Sequence, residues 1–112
     1  MGNFLVSTGI EKGPRGEFCI YATGYYGQDP VSQVFIVGDG DLHTAEIQRI
    51  MVLPEHRGQG FGKITLEKAE FRAKGIGVDT LTTWMADPPI LRPFLEKQGY
   101  IFDGDDATKK LT

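Results

Sequence analysis

Three glycines at alternate positions, Gly58, Gly60 and Gly62, follow an apolar segment closed by Pro54 and lead directly into a helical pattern. No other feature limits the fold as much, because it orders a strand, a tight loop and a helix start in one short stretch. Glycines lack Cβ, so successive backbone N–H groups can converge on one point. The following helix start adds unpaired donors and a partial positive charge there. The stretch therefore reads as a cradle for a phosphate group.

Two common phosphate-binding loops fail against these residues. A P-loop needs glycine five residues before Gly62 and Ser or Thr after Lys63, where this chain has Arg57 and Ile64. A dinucleotide fingerprint needs a glycine three residues after Gly60, where Lys63 stands, and no clear acidic ribose partner follows about twenty residues on.

The remaining pattern, Arg57-Gly58-Gln59-Gly60-Phe61-Gly62, resembles the Gln/Arg-x-x-Gly-x-Gly signature of the GNAT family of N-acetyltransferases. Val52 and Pro54-Glu55 stand where that family commonly reads Val-x-Pro-Glu. Phe94-Leu95-Glu96-Lys97-Gln98-Gly99-Tyr100 resembles its Phe-Tyr-Glu-Lys-x-Gly-Phe segment. The similarity spans roughly residues 44 to 102. It implies an α+β fold with a mixed, mostly antiparallel sheet flanked by helices.

Composition agrees with one globular domain over residues 1–112. The 112 residues are 40% hydrophobic and 24% charged, which suits a packed core rather than disorder. A net charge of −3 gives no basic footprint for nucleic acid. No apolar run approaches the ~18 residues of a membrane span, and no signal peptide is apparent. Cys19 is the only cysteine and reads as strand packing in a reducing compartment, so a cytoplasmic protein is expected.

Strands are predicted at Phe4 to Ile10, Glu17 to Tyr25, residues 32 to 37 and Thr44 to Leu53, with a hairpin turn at Gly38 to Asp41. A helix is predicted from near Gly62 to about Lys74, with Leu66, Ala69 and Ala73 on one face. Phe61, Ile64 and Phe71 share another face, which predicts a helix covered on more than one side. Asp79 to Met85 reads as a strand, Pro89 to Gln98 as a helix entered through Pro88 and Pro89, and Tyr100 to Phe102 and Ala107 to Leu111 as closing strands. The order departs from the GNAT pattern in one place. That family sets two helices between its first two strands, where this chain has only the turn-like Glu11 to Gly16. Those helices help wall the acceptor site, so the resemblance implies an open acceptor surface or one completed by a second subunit in a homodimer.

The resemblance also implies the site. The pantetheine arm of acetyl-CoA, the co-substrate, would lie along Ile50, Met51 and Val52. The pyrophosphate would sit on the N–H groups of Arg57, Gly58, Gln59, Gly60, Phe61, Gly62 and Lys63, with the Arg57 and Lys63 side chains adding charge if turned inward. A lysine-like acceptor with a pKa near ~10.4 is neutral about one part in a thousand at neutral pH, a deficit of roughly 4 kcal/mol. Glu46, eleven residues before Arg57, matches the general base of the histone acetyltransferase branch. It also fits the polar face of a strand, alternating with Ala45 and Ile47. Leu95 stands where many members carry a tyrosine that protonates the departing thiolate, and Pro88 where an asparagine often contacts the cofactor. Tyr100 reads as core packing, and Trp84 as core or acceptor wall. No metal is expected, since His43 and His56 have no partner at ligand spacing and Asp103, Asp105 and Asp106 lack the rest of a calcium loop.

The expected activity is transfer of an acetyl group from acetyl-CoA to a primary amine on a protein or a small molecule. The alternative is a degenerate module that binds acyl-CoA without turnover.

Overall fold

The computed structural model describes residues 3–40, 43–84 and 91–111; expectations placed on Asp41, Met85, Pro88 and Pro89 lie outside them. Four strands come first: β1 (Phe4–Lys12), β2 (Glu17–Tyr26), β3 (Asp29–Asp39) and β4 (Thr44–Val52). After a 3₁₀ turn at Pro54–His56 follow α1 (Phe61–Gly75), β5 (Thr80–Trp84), α2 (Leu91–Lys97), β6 (Ile101–Asp103) and β7 (Asp106–Lys110). They build a seven-stranded sheet in the order β1-β2-β3-β4-β5-β7-β6. The β4–β5 pair is parallel and the remaining neighbours are antiparallel, the mixed α+β architecture expected.

Period-two alternation places the core. Phe18, Ile20 and Ala22 on β2, Val34 and Ile36 on β3, Ala45 and Ile47 on β4, and Leu81 on β5 are buried with Leu66, Ala69 and Ala73 of α1 and Leu95 of α2. Both helices thus cover one face of the sheet. The alternate positions face the other way, and there Leu5 is 71% and Trp84 68% exposed. Residues 13–16 alone join β1 to β2, so no helix from that connection covers this second face. The open side is therefore a direct consequence of the short link seen in the sequence. Among the described residues, no helix is long and apolar enough to cross a membrane.

Three expectations need correction. The third strand starts at Asp29, not 32, and runs through Pro30, which a register shift between Gly24 and Tyr25 accommodates. Phe71 is 77% exposed, so α1 has no second covered apolar stripe. Its flank is closed at Glu70 instead, where Tyr100 donates a 2.7 Å hydrogen bond and Lys109 donates at 3.0 Å. Trp84 is no part of the core.

Candidate active site

The site is built where β4 leaves β5. Their pairing runs from Thr44 beside Thr80 to Ile47 beside Thr83 and goes no further among the described residues, although β4 continues to Val52. The Thr83 hydroxyl donates to the Ile47 carbonyl at 3.3 Å and so closes the ladder where the strands part. Beyond that point no described strand pairs with the edge of β4 that faced β5, while its other edge stays paired to β3 through Ile50, Met51 and Val52.

A bulge sits at the same place. On β3, Ile36 pairs with Ile47 but Phe35 pairs with Arg49, so Gln48 is the extra residue. The bulge reverses the alternation. Ala45 and Ile47 face the helices before it, whereas Ile50 packs against that core after it. Glu46 consequently looks to the open face in the row Val37, Glu46, Thr82, Thr108.

Gly58 and Gly60 have φ of +81° and +82°, a left-handed backbone that residues with a Cβ adopt at a cost, and Gly60 is the N-cap of α1. Gly62 serves differently: a Cβ there would stand 3.0 Å from Val52 Cγ2 and 3.5 Å from the Phe94 ring. The first helical hydrogen bond of α1 is Ile64 N–H to the Gly60 carbonyl, and no side chain caps the helix. The N–H groups from Gly58 to Lys63 therefore have no partner among the described residues. The Arg57 N–H is different, because it donates to the Pro54 carbonyl at 3.3 Å; it leaves the donor set expected from sequence. The Arg57 side chain turns back as well, its Nε donating to the Val52 carbonyl at 3.0 Å.

These elements enclose a cleft of about 570 Å³, well within the range of small-molecule sites. Ile50, Met51, Val52, Arg57, Gly58, Gly60, Phe61, Gly62 and Lys63 line it, and Gln59 is exposed and does not. His56, Leu91, Phe94 and Gln98 line it too, and sequence reasoning missed them. The last three recur at i, i+3 and i+7, one face of a helix, which was the available signal. Phe61 is buried and stacks on Phe4 with ring centroids 4.1 Å apart, tying the loop to β1.

Glu46 lies outside this cleft. It borders a cavity of about 440 Å³ on the open face, with Glu17, Val37, Asp39, Thr44 and Thr82. Its Oε1 accepts a 3.0 Å hydrogen bond from Gln48 Nε2 on the bulge. Four residues of strand separate Glu46 from Ile50, on the order of 10 Å. Leu95 is fully buried in the core, beside rather than in the cleft. Tyr100 is buried, and desolvation together with the Glu70 carboxylate pushes its phenol far above the usual tyrosine range, so its proton is held for structure. Burial and then Glu11 push the Cys19 thiol up, away from a nucleophile's needs.

Residues 6–100 match the sequence profile of the Acetyltransferase (GNAT) family. No protein among the curated sequences matches the chain. Solved structures with the same fold include the PaiA N-acetyltransferase of Thermoplasma acidophilum in complex with coenzyme A, at 20% identity and a TM-score of 0.73, with 82% of this chain and 60% of that chain covered. The ribosomal-protein-S18-alanine N-acetyltransferase of Escherichia coli gives 16% identity, a TM-score of 0.75 and coverage of 90% and 72%. A GNAT-family acetyltransferase of Staphylococcus aureus Mu50 gives 15%, 0.72, and 88% and 70%. The present chain thus spans less than two thirds of the Thermoplasma chain it matches.

Proposed function

The chain belongs to the GNAT family of acetyltransferases, and we propose that, as a single catalytic domain in the cytoplasm, it transfers the acetyl group of acetyl-CoA to a primary amine by direct attack. The observation that carries this reading is that Gly58, Gly60, Phe61, Gly62 and Lys63, whose N–H groups have no partner among the described residues, line one cleft with Ile50, Met51 and Val52, where no described strand pairs with that edge of β4. A pyrophosphate fits the donors, and an extended amide-bearing arm fits the strand edge. The coenzyme A complex of the Thermoplasma protein supports the choice of ligand.

The acceptor then approaches from the open face, where Glu46 lies beside the bulge. Glu46, directly or through a water, takes the proton that the amine must lose. The amine nitrogen bonds to the thioester carbonyl carbon, the C–S bond breaks, and the thiolate takes up a proton from solvent or from the amine. Glu17 and Asp39 share the cavity with Glu46, and the net charge is −3, a balance that suits a cationic amine. The same uncovered face, edged by the nine-residue β1, suits either a protein acceptor or a second subunit of a homodimer.

A second reading is a module that binds acyl-CoA without turnover, favoured by Leu95 at the tyrosine position. Isotopically labelled acetyl-CoA incubated with a panel of small amines and with a cell lysate separates the two. Transfer predicts label on an amine, located by mass, and release of free CoA. Binding of CoA with no amine labelled would leave the second reading.

A further inference from the structure

Ser32 on β3 and Thr65 on α1 form a hydroxyl pair inside the core, 2.7 Å apart and 2% and 0% exposed. Thr65 Oγ1 donates to the Phe61 carbonyl at 2.7 Å, so the proton between the two hydroxyls comes from Ser32. Phe61 opens α1, and its carbonyl belongs to the turn whose residues Phe61, Gly62 and Lys63 line the cleft with N–H groups that have no partner among the described residues. Ser32 pairs with Val52, the end of the cofactor strand, and with Gly24 on its other side. Gly24 is needed there, because a Cβ would stand 2.2 Å from Ser32 Oγ.

A buried hydroxyl pair adds little net stability, since its two partners can be replaced by apolar groups of the same shape at almost no cost. A hydroxyl on a helix that bonds back to the carbonyl four residues earlier does change the local pitch of the helix. We infer that Ser32 and Thr65 are positioning residues, setting the first turn of α1 against β4 so that the N–H groups of Phe61, Gly62 and Lys63 converge on the pyrophosphate. The inference rests on the proposed use of the cleft for acetyl-CoA. Neither side chain lines that cleft, so their effect passes through the backbone of Phe61.

The test measures the dissociation constant for CoA and the melting temperature of the whole chain. In Ser32→Ala/Thr65→Val, the melting temperature stays within a few degrees of the parent while CoA binds about five- to tenfold more weakly. With acetyl-CoA and a working acceptor, KM rises and kcat is kept. Thr65→Ser retains the hydroxyl and binds CoA within twofold of the parent. Ser32→Ala alone weakens binding in the same direction and decides the matter if the double variant does not fold. A folded double variant that binds CoA as tightly as the parent overturns the positioning role and leaves the acetyltransferase reading standing. A parent that binds no CoA overturns both.

Discussion

The Cγ2 methyl of Val52, at the end of β4, lies 3.0 Å from the point where a Cβ on Gly62 would stand. Strand end and helix start therefore meet with no room for a side chain, and the Phe94 ring closes the same spot from 3.5 Å. Gly62→Ala should push the first turn of α1 away by a few tenths of an ångström. CoA affinity should fall several-fold with little loss of folded protein, as calorimetric titration would register.

Gly60 answers to a different constraint. Its φ of +82° strains any residue with a Cβ by about 1–2 kcal/mol, while the space around it is open. Gly60→Glu adds a carboxylate at the cradle itself. CoA affinity should drop at least tenfold, about 1.4 kcal/mol or more. A folded Gly60→Glu protein that binds CoA like the parent would sink the cradle.

Tyr100 and Glu70 make a prediction about pH. The Tyr100 phenol is raised above its ordinary value of about 10, first by burial and then by Glu70. Because the folded state holds this proton more tightly than the unfolded state, the contribution is complete below about pH 10 and is lost as pH rises further. Tyr100→Phe should cost about 1.5–3 kcal/mol at neutral pH, the worth of a hydrogen bond to a charged group, with Lys109 still on Glu70 at 3.0 Å. Urea titrations should then show the parent converging on the variant above pH 10. Turnover should be unchanged by this substitution.

The loop was legible because its chemistry is local. A left-handed φ at Gly58 and Gly60 and the free donors ahead of Ile64 follow from residue type and spacing. Helical spacing also put Leu66, Ala69 and Ala73 on one face, and that face is buried in the core. Strand alternation did not say which sheet face the helices take, because that depends on connections rather than on any strand's own pattern. Nor did it show the bulge at Gln48, which turns Glu46 and Ile50 to opposite faces through one unpaired residue. Phe71 misled for a related reason: an apolar side chain at helical spacing is buried only if something is there to cover it. The family pattern implies a phosphate contact from the Arg57 N–H, with its side chain adding charge if turned inward, whereas its N–H and its Nε both donate to the chain's own carbonyls.

For the base, Glu46→Gln keeps size and polarity and removes the proton acceptor. Turnover should fall about 10²-fold or more while CoA binding stays within twofold, because Glu46 lies outside the cleft. The deficit should shrink as pH rises, since more of the acceptor amine is then neutral without help. Parental rates at neutral pH would return Glu46 to a place on a polar strand face.

Leu95 decides whether the missing tyrosine matters. The GNAT resemblance suggests that Leu95→Tyr restores an acid and raises turnover, but Leu95 has no exposed surface and belongs to the main core cluster. A phenol there must displace neighbours before its hydroxyl reaches the cleft, and overpacking costs about 1–3 kcal/mol. The gain on offer is small as well. A thiol with an ordinary pKa near ~8.5 leaves as thiolate far more readily than an alkoxide, so solvent suffices to protonate it. Leu95→Tyr should therefore lower the melting temperature by several degrees and leave kcat unchanged. Phe94→Tyr, on the residue that does line the cleft, should fold normally and tests the same hydroxyl from an accessible position. A several-fold rise in kcat for Leu95→Tyr at parental stability would show that the ring reaches the thioester after all, and would make the absent acid the step that limits this enzyme.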